Sequence, residues 1–286
     1  MNLINFMGLN CYYSCIVSIA GELGVDYTLS FAQLWSETDF KYDRDRRVFL
    51  SKRMLTGLDA LGAKLTMLDC ASPAVARESL SSLSVGEYFV VGMDAYAIPW
   101  NQLYGIHHGP HYIIAQKAQS QTLLCHDPTY NKKNQEISCR DLLTGAFDIS
   151  RILNTEQNTP PTPPQACVLQ QACEILSSHP LLMEKLLTQI RECEGTNREQ
   201  AILSAGYVDA LISNRCLYQH YLNASPSACR GTPLFSTEHI HGWKAVKNGL
   251  YKAALSSLNQ DVIRDVAGLL RLLLESEIRS ASSLLH

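Results

Sequence analysis

His111-Tyr-Ile-Ile-Ala-Gln-Lys-Ala-Gln-Ser-Gln-Thr-Leu-Leu-Cys-His-Asp127 is two apolar runs around a polar centre at 117–121. That pattern predicts an antiparallel hairpin. Centred on Gln119, the hairpin sets His111 opposite Asp127 at its open end. Directly opposed residues project to one face with Cβ atoms about 4.5–5.5 Å apart. An imidazole and a carboxylate so placed form an Nδ1–H···carboxylate bond that fixes the tautomer and stabilises imidazolium. Pro128 ends the second strand, because proline brings no backbone donor to a ladder.

Working outward, Tyr88 to Met93 is a third extended run. Cys11 to Leu23 predicts a helix with Ile16, Ile19, Ala20 and Leu23 on one stripe and Gly24 as its stop. Val48 to Leu61 predicts a second helix closed by Gly62, and Ser72-Pro73 caps a third that reaches Leu83. Asn154-Thr-Glu-Gln-Asn-Thr-Pro-Pro-Thr-Pro-Pro-Gln165 follows, where clustered prolines admit neither helix nor ladder. Beyond it the strand pattern is gone. Pro180 opens a helix through Ile190, and Asn197-x-x-Gln200 is a capping-box-like start for a long one. Ser236 caps another, with Ile240, Trp243, Val246 and Leu250 on its stripe, and Val262 to Leu274 marks the last. The class is α+β with an all-α continuation: a domain over 1–153, a Pro-rich linker over 154–166 and a helical lid or accessory domain over 167–286.

Composition removes several function classes. The chain has 286 residues with 24 Lys and Arg against 27 Asp and Glu, so it offers no broad positive footprint for nucleic acid or an anionic membrane. No apolar run approaches the ~18–20 residues that span a bilayer. The first residues lack the basic and apolar regions of a signal peptide, which predicts a cytoplasmic protein. Ten cysteines without any C-x-x-C point to reduced packing residues, not to a disulfide scaffold or a zinc ribbon. Walker A, G-x-G-x-x-G, G-x-S-x-G and H-E-x-x-H are all absent from the sequence.

Among the cysteines, Cys11 has the surroundings of a nucleophile. At a helix N-terminus, unpaired N–H groups and the helix dipole favour thiolate, and a neighbouring imidazolium favours it further. Gly8 frees the approach loop. The Cys11 N–H supplies half of an oxyanion hole, with Asn5 or Asn10 as the side-chain donor. Cys15, one turn deeper, is the weaker rival and reads as core. His126 alternates to the other strand face and reads as structural. His107, His108 and His111 form H-H-x-x-H, yet no helix pattern or carboxylate set accompanies it, so a metal site is disfavoured. A chain this rich in Cys and His also yields such a triad by chance.

Four segments occur together in a set order: Gly8-Leu9-Asn10-Cys11, Tyr88-Phe-Val-Val-Gly-Met-Asp-Ala-Tyr-Ala-Ile-Pro-Trp100, Gly109-Pro-His-Tyr-Ile-Ile114 and His126-Asp-Pro128. In this, roughly 120 residues of the first domain resemble the N-terminal domain of the butirosin biosynthesis protein H family. Its most specific parts are Asp94-x-Tyr96-x-x-Pro99 and the His-to-Asp interval; the family's residue before the cysteine is commonly His, whereas here it is Asn10. The resemblance implies a papain-like, cysteine peptidase-like fold. It implies Cys11 as nucleophile, His111 as general base and acid, and Asp127 as orienter. The implied activity is acyl transfer: an acyl group leaves the phosphopantetheine thiol of an acyl carrier protein or peptidyl carrier domain, rests on the cysteine and passes to a small amine. No bound cofactor or metal is implied. Tyr12, Tyr96 and Trp100 become candidate pocket wall.

Three other readings compete. A peptidase or amidase uses water as the nucleophile, a cyclising enzyme takes the acceptor from within the acyl chain, and a non-catalytic module only binds the carrier. Arg44, Arg46, Arg47, Lys52 and Arg53 are a candidate docking patch for an acidic carrier, equally readable as a solvated face. The apolar last helix, Val262 to Ile278, packs internally or against a second copy in a homodimer.

Overall fold

A computed structural model describes residues 1–44, 48–117, 122–156, 163–192, 198–225, 235–255 and 259–286. The hairpin loop 118–121, Arg46, Arg47, Asn197 and most of the Pro-rich run lie outside the described residues. In chain order the elements are α1 (Cys11–Glu22), β1 (Phe40–Asp43), β2 (Val48–Ser51), α2 (Lys52–Ala60), β3 (Ala63–Leu68) and α3 (Pro73–Ser81). Then come β4 (Tyr88–Asp94), β5 (Pro110–Gln116), β6 (Thr122–Asp127), β7 (Lys132–Ser138), α4 (Cys139–Gly145) and β8 (Ala146–Asn154). The helices α5 (Pro164–Glu192), α6 (Arg198–Ala224), α7 (Thr237–Leu255) and α8 (Gln260–Leu285) complete it. The class is α+β, as expected. No helix among the described residues is long and apolar enough to cross a membrane.

The chain divides into two compact units. The first comprises Met1–Tyr27, Arg44–Arg47 and Leu55–Pro160; the second comprises Thr28–Asp43, Val48–Met54 and Pro161–His286. A boundary at 153 therefore assigns 28–43 and 48–54 differently from the structure, where these segments pack with the helices. Their partners lie far along the chain: Trp35 stacks on Tyr218 with centroids 5.7 Å apart, and Glu37 takes hydrogen bonds from Asn214 at 2.8 Å and from the Arg53 N–H at 3.0 Å. The β1–β2 hairpin belongs to this second unit, so it is helical but not all-α.

In the first unit six antiparallel strands run in the order β3-β8-β4-β5-β6-β7. One face carries Phe89, Val91, Ile113, Ala115, Leu123, Cys125 and Ile149, closed by Ala76 and Leu80 of α3 and by Leu142 and Leu143 of α4. On the other, Tyr12 of α1 meets Tyr112 edge-on at 4.8 Å. Only glycine fits at 92: a Cβ there would lie 2.6 Å from the Phe147 ring and 2.8 Å from that of Tyr112.

The predicted hairpin exists with a changed register. Ile114 pairs with His126 and Ala115 with Cys125, a shift of two residues from a centre on Gln119. A one-residue slip would have turned every side chain over, whereas two preserve the face. His111 and Asp127 are thus diagonal neighbours on one face, about 7–8 Å apart at the backbone. Two helix expectations also change. Val48 to Leu61 splits into β2 and α2, and α5 runs unbroken through Pro180. The missing proline N–H does not end α5; the residue before it, His179, is buried and held at 2.9 Å by Glu277 of α8.

Glu277 is the polar centre of the second unit. Its carboxylate accepts from Arg215 Nε at 2.6 Å and Nη2 at 2.7 Å, from His179 and His239, and from the Trp243 indole at 3.0 Å. The Arg215 guanidinium also lies over the Trp243 ring, 4.3 Å from its centroid. α7 and α8 approach closely at Gly249, where a Cβ would come within 2.4 Å of Val266.

Candidate active site

Asn10 starts α1: its extended backbone and its Oδ1, which accepts from the Tyr13 N–H at 2.8 Å, make it the N-cap and Cys11 the first helical residue. The N–H groups of a first turn have no intrahelical acceptor, so the backbone at Cys11 is an anion-stabilising position. The approach segment is tied to the same helix. Ser14 Oγ donates to Asn5 Oδ1 at 3.1 Å, and the Ile4 N–H donates to Ser18 Oγ at 2.9 Å.

His111 enters near the start of β5 and Asp127 closes β6. Both are buried, and His111 Nε2 lies 2.8 Å from Asp127 Oδ2. The bond therefore uses Nε2, not the Nδ1 expected from the sequence, which leaves Nδ1 as the nitrogen for Cys11. Cys11 is partly exposed and close enough to the imidazole to help raise its pKa. Burial by itself would lower the His111 pKa. The hydrogen bonds to Asp127 and Cys11 and the charges of both outweigh it and bring the ring to about 9.

Asp127 is fully occupied. The same Oδ2 takes the Trp100 indole N–H at 2.9 Å, and Oδ1 takes the Tyr130 backbone N–H at 3.3 Å. The Tyr130 ring tilts against His111 with centroids 5.4 Å apart. Trp100 is thus a direct neighbour of the triad and not merely wall, and Tyr130 was missed in the sequence. Asp127-Pro128 carried a legible hint of it, since Asp before a turn bonds its own downstream backbone.

The structure separates the other candidates. Cys15 is fully buried; desolvation, then the charges of Cys11 and Asp127, push its thiol well above the ordinary value, so it is no rival. Burial likewise raises Cys125, to about 12, and raises Cys167 and Cys216. Asn5 Nδ2 donates to the Thr129 carbonyl at 3.4 Å, while Asn10 commits its oxygen, not its Nδ2, to the cap. Tyr12 is 2% exposed and belongs to the core, not to a pocket wall, because α1 turns it onto Tyr112. Tyr96 stacks on His108.

The H-H-x-x-H histidines do not converge. His108 binds Asp94 and His111 binds Asp127, and no group of three ligands able to hold a metal occurs among the described residues. His126 is buried, and its Nδ1 accepts from the Asn134 N–H at 3.4 Å. In the docking patch, Lys52 pairs with Asp39 while Arg53 bonds Ser36 and Glu174. Those cations already serve the second unit.

A raised imidazole pKa makes a pH prediction. The ring gains protons on folding, so its contribution to stability is complete below about 6.5 and is lost as pH rises through about 9. Loss of the imidazolium removes the general acid over the same window. The rate of Cys11 acylation should fall above about pH 9, with an apparent value that belongs to the Cys11–His111 pair. A pH–rate profile of kcat/KM checks it; a flat line through pH 10 would contradict it.

No protein-family model matches the chain, and no curated protein matches it.

Proposed function

We propose that the chain is a cysteine-dependent acyltransferase with a papain-like catalytic unit. It takes the acyl group of a phosphopantetheine thioester on a carrier protein and passes it, through acyl-Cys11, to a small amine. One observation carries this reading: a buried imidazole held between a helix-start thiol and a carboxylate that three donors fix in place. A thiol at a helix start beside an imidazole is an activated nucleophile.

In the first half-reaction the Cys11 sulfur attacks the thioester carbon. A C–S bond to Cys11 forms, the C–S bond to pantetheine breaks, and the imidazolium gives its proton to the departing thiol. In the second half the amine nitrogen attacks the same carbon. Its proton passes to the now neutral His111, and the thiolate leaves. Thioester for thioester is a nearly balanced exchange, and amide formation from a thioester runs downhill. Asp127 never takes the proton; it holds the ring in one orientation and stabilises its cationic form.

Intact-protein mass spectrometry with a panel of acyl-pantetheine thioesters, without acceptor, tests this. Wild type should gain one acyl mass and Cys11→Ala none. An adduct that water discharges as fast as any amine would move the reading to hydrolysis. If no adduct forms and alkylation of Cys11 is no faster than that of the other cysteines, the catalytic reading is lost to the carrier-binding one.

A further inference from the structure

Another histidine–carboxylate pair stands at the end of the sheet where His111 lies. Met93 is the ladder partner of His111, and Asp94, the next residue, pairs with Pro110. Asp94 Oδ1 accepts from the N–H groups of Tyr96 at 3.0 Å and Gly109 at 3.1 Å, so it pins both ends of the segment 95–109. Its Oδ2 lies 2.6 Å from His108 Nδ1. The Tyr96 ring lies flat on the His108 imidazole, with centroids 4.5 Å apart and planes 15° apart.

The His108 side chain is nevertheless 74% exposed. Holding a solvent-facing ring between a carboxylate and an aromatic plane costs rotamer entropy and returns little folding energy, since water screens an exposed pair. A carboxylate can only accept, so Nδ1 carries the hydrogen, and in the neutral ring Nε2 presents a lone pair outward. The same segment turns Leu103, Tyr104 and Ile106 to solvent, the last at 78% exposure. A fixed hydrogen-bond acceptor beside exposed apolar side chains suits a ligand that carries an N–H or O–H on an apolar body.

We propose that Asp94, Tyr96 and His108 form the binding subsite for the acceptor, with His108 Nε2 accepting a hydrogen bond from its amine or hydroxyl. This deepens the acyltransfer reading and rests on it. His108 is a binding group; the proton that leaves the amine on attack still goes to His111.

The experiment separates the half-reactions. Acyl-Cys11 is formed from a thioester in wild type and in His108→Ala, and is then chased with phenethylamine, an amine on an apolar body. Acyl-enzyme formation should agree within about twofold, which also reports that the variant is folded. The kcat/KM for discharge by the amine should fall about tenfold, the effect of one hydrogen bond. If phenethylamine fails to discharge acyl-Cys11, discharges it equally fast in both proteins, or the variant loses acylation to the same degree, the subsite is overturned and the acyltransfer reading stands. If wild type forms no acyl-Cys11, both fall together.

Discussion

His111→Ala is expected to slow acylation of Cys11 by a thioester about 10³–10⁴-fold, the upper range for a positioned general acid–base. The ring has two duties here. It takes the proton of the Cys11 thiol, and it protonates the departing thiol. Both are lost at once, so alkylation by iodoacetamide should slow too, though less, because iodide needs no proton to leave. Stopped-flow acylation and alkylation rates measured on the same preparations check both. Groups that act as one unit are not additive. The double variant His111→Ala/Asp127→Ala should therefore be scarcely slower than His111→Ala alone. A full further loss would mean that Asp127 works independently of the imidazole it touches.

The other large effect concerns stability and lies far from the nucleophile in sequence. Glu277→Ala leaves Arg215, fully buried, without its counter-charge, and also strips partners from His179, His239 and Trp243. Breaking a buried pair in this way costs about 3–5 kcal/mol, on the order of 10 °C in Tm for a unit of this size. The combined change Arg215→Met/Glu277→Leu should recover most of that, since an apolar replacement leaves no orphaned charge. Burial works to raise the Glu277 pKa, but the Arg215 charge and the hydrogen bonds from His179, His239 and Arg215 hold it well below the usual carboxylate range. Its stabilisation is therefore complete above about pH 4.5 and disappears as pH falls through the depressed value. Thermal melts of wild type and both variants across acid pH measure each part; a wild-type Tm no higher than that of Glu277→Ala at neutral pH would contradict it.

Much of the first unit was legible in the chain. α1, α3 and the run β4, β5, β6 follow apolar periodicity and caps, and Ser72 does bond the Val75 N–H as its N-cap. β7 gave no such pattern: Lys132-Lys-Asn-Gln-Glu-Ile-Ser is an edge strand, mostly polar because one side of it faces water. β8 did carry alternation at Phe147, Asp148 and Ile149, yet its polar member Asp148 is buried against the Tyr112 hydroxyl at 2.9 Å. β2 was read as helix because Val48, Leu50 and Met54 suit either period over so short a stretch.

In the site, residue types and their shared face were accessible from spacing. The choice of ring nitrogen was not, because it depends on a two-residue change of register. Nor was the Trp100 hydrogen bond, which needs the path of 95–109 between two strands. Glu277, between Glu275 and Arg279, looks like part of a solvated helix face; only the packing of α8 against α5 and α7 reveals a buried centre.

The position of β8 bears on how the molecule is made. It is the last strand of its sheet to leave the ribosome, yet it sits between β3 and β4, and β3 joins the sheet through β8 alone. The β4–β7 meander, with His111 and Asp127 on it, can form from local hairpins as it emerges. β3 must wait for a partner some eighty residues downstream, and until then β4 shows an open edge beside Phe89 and Val91. Closing that gap is a long-range pairing, the slow kind. A nascent chain thus assembles the histidine–carboxylate pair before it completes the sheet, and during that interval its exposed edge is the segment most in need of a chaperone.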